Sequence, residues 1–418
     1  MRRCRIAIAL LVSVTALAWM SGCTRRSPTE AADAGEGTCE GCHISASLLK
    51  ATAGGSGPAW ERYLVSTDFV TSVHGRGGCQ KCHGGQSTPG TKEEMHRGIA
   101  LDPSGAQRNV CAACHAHIST VYNKSPHGSQ SGFVAAILAR SGLTELDENG
   151  RQMLDQQCGQ CHASCGQCHI ARPEAAGGGL VAGHVLQHEP LEMENCLGCH
   201  GERLGAEFTG QLPGLEADVH YQKGMTCFDC HPEEGMHGDG VTYEHRYQVA
   251  DLPQCADCHP DALSEETSNI YHKLMAKDVQ CQVCHSSSYR NCYSCHVGKT
   301  SSGLRQEVEL DFRIGKNPIQ DEKHPWEYVV LRHVPIAPDS YQEWGLALNN
   351  YASKPTWVYA SPHNIQRQTP QNAGCFGTCH NNPDVFLTPD YIQQKVDQGL
   401  MVQAEVQAND SVVVREVP

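Results

Sequence analysis

Ten times along this chain two cysteines stand three residues apart with a histidine directly after the second. The pairs are Cys39/Cys42, Cys79/Cys82, Cys111/Cys114, Cys158/Cys161, Cys165/Cys168, Cys196/Cys199, Cys227/Cys230, Cys255/Cys258, Cys281/Cys284 and Cys292/Cys295. The histidines are His43, His83, His115, His162, His169, His200, His231, His259, His285 and His296. An eleventh copy is one residue longer, Cys375-Phe376-Gly377-Thr378-Cys379-His380. Together these use 22 of the 24 cysteines and leave Cys4 and Cys23. Two thiols at this spacing add across the two vinyl groups of a haem, and the histidine that follows is placed to ligate its iron. Zinc would want pairs of C-x-x-C at regular separations with no histidine attached to each. A disulfide framework would not place a histidine after each second cysteine. Shuffling this composition gives on the order of 0.1 copies of the five-residue pattern. The spacing therefore predicts haem c attached at eleven places, with the eleven histidines as proximal ligands. At Cys375–Cys379 a structural disulfide stays open as an alternative.

Thirteen histidines lie outside the motifs, against eleven irons that need a sixth ligand. That near match predicts bis-histidine coordination. A short repeat carries three of the candidates: Ser72-Val73-His74-Gly75, Ser125-Pro126-His127-Gly128 and Ser361-Pro362-His363-Asn364. Small turn residues there let the backbone pass close to a porphyrin face. His272 sits nine residues before Cys281, where Ile270 and Leu274 share a helix face. His220, His237, His245, His184 and His188 follow, then His96 and His117; His324 and His333 are left as spares. Two imidazoles give lower potentials than histidine with methionine, and they close the iron to substrate.

The elements that must position these groups are meagre. Hydrophobic residues make up 39% of the 418, with cysteine counted among them. Eleven haems leave too few residues to wrap each in a domain of its own, so the haems must form the core. The expected fold is mostly irregular with short α-helices wrapped around a multihaem core, and with loops marked by 41 glycines and 21 prolines. Small β elements are expected in the C-terminal region, at about 305–335 and 400–417. Val308, Leu310, Phe312 and Ile314 alternate with charged residues as a half-buried strand does, and Tyr328–Leu331 reads as another. Val402, Ala404 and Val406, then Asn409-Asp410-Ser411, then Val412–Val414 predict a hairpin.

The organisation read from the chain is a signal segment at 1–22, a flexible tether at 23–38 and haems one to three in 39–130. A haem-free helical connector fills 131–157, with Phe133, Val134, Ile137, Leu138, Met153 and Leu154 at helical spacing. Haems four to ten occupy 158–300. A haem-free aromatic and β segment covers 301–374, and haem eleven with the hairpin covers 375–418. In the first segment Arg2, Arg3 and Arg5 precede an apolar run from Ile6 to Trp19, the pattern of an export signal. It ends in Met20-Ser21-Gly22-Cys23, which predicts cleavage and lipidation at Cys23 and an outer-membrane anchor. The formal charge of −14 falls to −17 when the three arginines are removed with the signal. Such a chain repels nucleic acid and steers basic partners or metal cations toward itself.

These motifs, the Met20–Cys23 sequence and the runs Ser72–Gly75, His272–Met275, Cys281–His285 and Tyr328–Pro335 resemble the multihaem (undecahaem) c-type lipoproteins of metal- and selenite-respiring anaerobic bacteria. The resemblance implies electron transfer at the outer membrane, on its periplasmic or cell-surface face. The partners it implies are other multihaem cytochromes, outer-membrane electron-transfer proteins, and metal ions or oxyanions as acceptors. The large β-domains that some cell-surface undecahaem cytochromes carry have no counterpart here. The favoured function is an electron conduit with no catalytic residue. The alternatives are an oxyanion reductase (selenite, tellurite, nitrite, sulfite or tetrathionate) with one open iron, and a filament-forming cytochrome. In the reductase reading His380 ligates the active iron, and Arg367 or Lys354 attracts the anion.

Overall fold

The computed structural model describes residues 38–52, 58–86, 88–105, 108–158, 163–173, 176–287, 289–290, 299–300, 303–304, 310–311 and 313–418. Outside them lie the signal segment with Cys23, nearly all of the tether, Cys161 and His162 of the fourth motif, and all of the tenth (Cys292, Cys295, His296). The side chains of Cys158 and Cys375 lie outside them too.

The fold is mostly irregular, with many short helices, two two-stranded ladders (Tyr289–Arg290 with Leu310–Asp311, Lys299–Thr300 with Gly303–Leu304) and a three-stranded antiparallel sheet near the C-terminus. It divides into two compact units, Met1–Pro103 with Gly179–His188, and Ser104–Gly178 with Glu189–Pro418. In the first, short helices such as Cys39–His43, Ala46–Thr52 and Cys79–His83 enclose only a few buried apolar side chains, among them Leu49, Val70 and Met95. The distant stretch 179–188 is tied in by backbone bonds, Ser66 N–H to Gly183 O at 2.7 Å and Leu180 N–H to Arg62 O at 3.0 Å.

In the second unit two eleven-residue helices, Ser131–Ser141 and Glu148–Cys158, present Ile137 and Met153 to a cluster with Leu346, Leu348 and Tyr351. Arg140 is buried beside them, and its guanidinium donates to Tyr351 O (2.7 Å) and Pro355 O (2.8 Å). The sheet runs in the order β1 (Arg313–Lys316), β2 (Tyr328–His333), β3 (Trp357–Tyr359), with Ile314 opposite Val330 and His333 opposite Trp357. Period-two alternation sends Val329 and Leu331 to one face, against Leu387, Ile392 and Val412. It sends Val330 to the other, against Val279, Val283 and Phe386. Both faces are covered, which is why β2 reads as an unbroken apolar run instead of an alternating one.

The C-terminal hairpin expected at 400–417 does not form. Ala404–Ala408 is a helix, and no strand follows it. Glu405 decides this: its Oε1 accepts the Val402 N–H at 3.0 Å, and its backbone carbonyl accepts the Asn409 side-chain amide at 2.8 Å. Asn409 Oδ1 accepts the backbone N–H groups of Thr356 and Trp357, both at 2.9 Å, so a side chain satisfies the sheet edge where a strand was expected. Val412–Val414 is buried all the same, held by single bonds from Lys316 N–H to Val412 O and from Val414 N–H to Leu387 O. The alternation at 402–406 is real in the sequence, but its polar members make tertiary bonds that only a helix allows.

Candidate functional site

Each described motif is a single helical turn, such as Cys39–His43, Cys165–His169, Cys196–His200 and Cys281–His285. A spacing of three puts both sulfurs on one face of that turn. The turns are started by side chains: Thr38 Oγ1 accepts the Gly41 N–H at 3.0 Å, and Ser164 with Gln167 forms a reciprocal cap. No two of the described cysteines form a disulfide. Among the described residues no three His, Cys, Asp or Glu side chains converge as a zinc site requires.

Among the second cysteines of the motifs, Cys114, Cys199, Cys230 and Cys258 are exposed, and Cys42, Cys82, Cys168, Cys284 and Cys379 are half-buried. Among the first cysteines Cys255 is exposed, while Cys39, Cys79, Cys111, Cys165, Cys196, Cys227 and Cys281 are half-buried. A sulfur fully walled in by side chains could not reach a vinyl group, so the partial exposure fits thioether attachment.

Sulfurs of different motifs approach one another. The Cys39 and Cys79 thiols hydrogen-bond; that bond draws Cys39 down to about 6 and, with burial, drives Cys79 up. Gln80 Nε2 also reaches Cys39 Sγ at 3.4 Å. Cys255 and Cys281 share the same kind of bond, which raises Cys255 and lowers Cys281. Cys168 is pushed up to about 11 by burial, with Cys196 as its charged neighbour, and Cys227 to about 12 by burial and then by Glu192. A thioether does not titrate, so the lasting content of these shifts is proximity between motifs.

Among the described residues the histidines form seven facing pairs, each joining a motif imidazole to one from outside the motifs. Ring centroids are 6.1 Å apart for His43–His96, 5.9 Å for His83–His184, 6.2 Å for His200–His127 and 6.1 Å for His169–His237. They are 6.1 Å apart for His259–His220, 6.4 Å for His231–His363 and 6.1 Å for His285–His272. Across these pairs the angle between ring planes runs from 24° to 89° while the separation stays within half an ångström. Contacts between aromatic rings in general spread over centroid separations of roughly 4.5–7 Å. A constant separation with free rotation is what two rings on one axis give, with a metal–nitrogen bond of about 2 Å on each side of the metal. The residues therefore fit an iron held between two imidazoles.

The second nitrogen of these rings is engaged as a ligand requires. Nδ1–H donates to a backbone carbonyl in His43 (Tyr63, 3.0 Å), His83 (Ala100, 2.8 Å), His96 (Lys92, 2.7 Å) and His285 (Gln366, 3.1 Å). That fixes the tautomer and leaves the Nε2 lone pair for a metal. Burial pushes His184 down to about 4 and lowers His127, His231 and His272, which favours the neutral, ligating form.

Two stretches of chain carry many of these histidines. Residues 218–238 supply His220, His231 and His237 to three different pairs. The segment after β3 supplies His363, and three residues on, Gln366 O accepts from His285 Nδ1. The sheet grips the ninth motif through fully buried Gln280, whose amide donates to Tyr359 Oη (2.8 Å) and Ala360 O (3.0 Å) and accepts the Val330 N–H at 2.8 Å.

Of the eleven sequence candidates for the sixth ligand, seven stand in pairs, and His96 is among them despite its low place in the ranking. His74, His117 and His188 are exposed, as is the motif histidine His115. His245 packs on Tyr247 at 5.1 Å, and its Nδ1 accepts the Tyr247 N–H at 3.2 Å. The spare His333 is buried against Glu405 at 2.7 Å, and the spare His324 against Asp321 at 2.9 Å. His380 of the irregular motif stacks on Phe376 at 5.0 Å. Sequence reasoning missed the groups that aim the ligands, namely Asp218, Glu207, Gln280 and Gln366. Only Asp218 left a trace there, as a helix N-cap residue two positions before His220.

Comparison with known proteins gives one kind of relative. The chain is 25% identical over 248 residues to cytochrome c-552 of Maridesulfovibrio salexigens, a match covering 53% of this chain and 46% of that protein. The chain thus matches somewhat less than half the length of this curated relative. No protein-family model matches, and no solved structure matches.

Proposed function

We propose that the chain is a multihaem c-type cytochrome that conducts electrons between haems and binds no substrate at most of its irons. The carrying observation is the set of seven His–His pairs, each motif histidine facing one from elsewhere at 5.9–6.4 Å. Bound haem supplies the one-electron ferric/ferrous couple. The residues would do the rest: the cysteines would hold each haem, the paired imidazoles would ligate its iron, and approaches such as Cys39–Cys79 and Cys255–Cys281 would keep neighbouring haems close. The similarity to a cytochrome c-552 supports the electron-transfer reading.

The count of eleven haems, the outer-membrane lipid anchor at Cys23 and exchange with other cytochromes, metal ions or oxyanions belong to the same proposal. They rest on the motif count and on the Arg2–Cys23 sequence. Intact mass of the purified protein tests both covalent features, by the number of haems added and by an acylated cysteine at the N-terminus. Low-temperature EPR of the oxidised protein tests the conduit: low-spin iron throughout is expected.

A second reading, oxyanion reduction at one open iron, draws on the eleventh motif. There the spacing is longer, and the ring within contact of His380 among the described residues is Phe376. A stoichiometric high-spin signal that shifts on adding nitrite or selenite, and whose line shape changes in His380→Ala, would favour it.

A further inference from the structure

His220 and His363 stand in different pairs, yet one buried carboxylate bonds the first directly and the backbone two residues beyond the second. Asp218, whose side chain is 3% exposed, accepts the His220 N–H at 2.7 Å and the His220 Nδ1–H at 2.9 Å, both on Oδ1. Its Oδ2 accepts the Ile365 N–H at 2.7 Å, two residues beyond His363. Val219 N–H returns a bond to Ile365 O at 2.9 Å, and His363 N–H donates to buried Glu207 at 2.9 Å. The chain before His220 and the chain after His363 are thus clamped as one piece.

The clamp also differs electrically from its counterparts. His43, His83, His96 and His285 donate Nδ1–H to neutral carbonyls. His237 faces Glu233 at 3.3 Å, but that carboxylate is 62% exposed and screened by water. Asp218 alone among these acceptors is both a carboxylate and buried. A charged acceptor pulls harder on the imidazole N–H and makes Nε2 a stronger donor to iron, which favours ferric over ferrous.

We propose that Asp218 is a positioning residue that sets the iron between His220 and His259 at a lower potential than the carbonyl-backed sites, and that couples its ligand to that of the His231–His363 site. The proposal rests on the axial-ligand reading above. One electron enters from a neighbouring haem and leaves to another; no bond is made or broken, and Nδ1 keeps its proton.

The test uses full-length, haem-loaded protein. His220→Ala comes first: one new high-spin haem is expected, whereas an unchanged spin state overturns the ligand reading and this proposal with it. Asp218→Asn then removes the charge at constant shape, and Asp218→Ser keeps the helix cap should the amide not load haem. Both are expected to retain every haem in the low-spin state. Both should move one component of a potentiometric titration upward by about tenfold in its equilibrium constant, 59 mV for one electron. Asp218→Glu should restore most of the low potential, and Glu233→Gln should move its own component less. An unchanged titration in both Asp218 variants, or a shift spread evenly over all components as general loosening would give, overturns the assignment.

Discussion

Residues 189–287 and 313–418 are of similar length and belong to the same compact unit, yet they are built from different materials. Of the 34 buried apolar side chains among the described residues, 21 lie in 313–418 and six in 189–287. Of the fourteen imidazoles in facing pairs, seven lie in 189–287 and one, His363, in 313–418. The later stretch is held by apolar area removed from water, at roughly 25 cal/mol per Å². The earlier one has almost no such area and is specified by where its histidines must meet. One stretch is rich in facing histidines and the next in buried apolar side chains, and residues such as Gln280 join the two.

The most severe way to break that comparison is to withhold the cofactor. Chain produced without haem attachment should lose backbone protection in hydrogen exchange throughout 189–287 and keep it in 313–418; simultaneous loss in both would mean that the sheet depends on haem as well. Next in size is Glu405→Leu. Glu405 is fully buried, bonded to His333 and to Thr356 Oγ1, both at 2.7 Å, and its loss strands the imidazole. Denaturant unfolding should show about 3–5 kcal/mol of destabilisation, with the haem spectrum unmoved. Acid should act on the same link. Burial alone would raise the Glu405 pKa, but the charge and hydrogen bond of His333 outweigh it and hold it low. A carboxylate depressed in the folded state contributes its stability in full above its unfolded pKa. That contribution is lost as pH falls through the depressed value, so wild type should weaken in that window and the Leu variant should not.

Ile314→Val trims one methylene from the sheet core and should cost about 0.5–1.5 kcal/mol, again without spectral change. The smallest stability change and the sharpest spectral one should come from His272→Ala. Its helix, Ile270–Met275, buries none of its side chains, so one haem should turn high-spin while the melting curve barely shifts. A ligand variant that collapsed the sheet, or a core variant that altered spin state, would blur the distinction between the two regions.

How much of this was legible in the sequence follows the same division. The motif turns were readable because covalent chemistry dictates their spacing, and β2 because an apolar run of valines and leucine has few other uses. Pairing was only half readable. That histidines outside the motifs would face those within them could be guessed from their number, but which one meets which motif depends on stretches such as 218–238, whose path is fixed by side-chain caps and not by periodicity. The third strand, Trp357–Tyr359, is three residues long and gave no pattern. The 402–406 segment misled because its alternation is compatible with either structure until Glu405 and Asn409 meet their partners.

The ring angles carry a consequence for the electronic identity of each site. His231 and His363 lie 24° apart and His169 and His237 29°, whereas His127 and His200 are turned by 89°. Nearly parallel imidazole planes donate into the same d-orbital and split the upper pair of t2g levels widely; crossed planes leave that pair almost degenerate. Irons with chemically identical ligands would then differ in magnetic anisotropy, so that each could be told from its neighbours without isotopic labels.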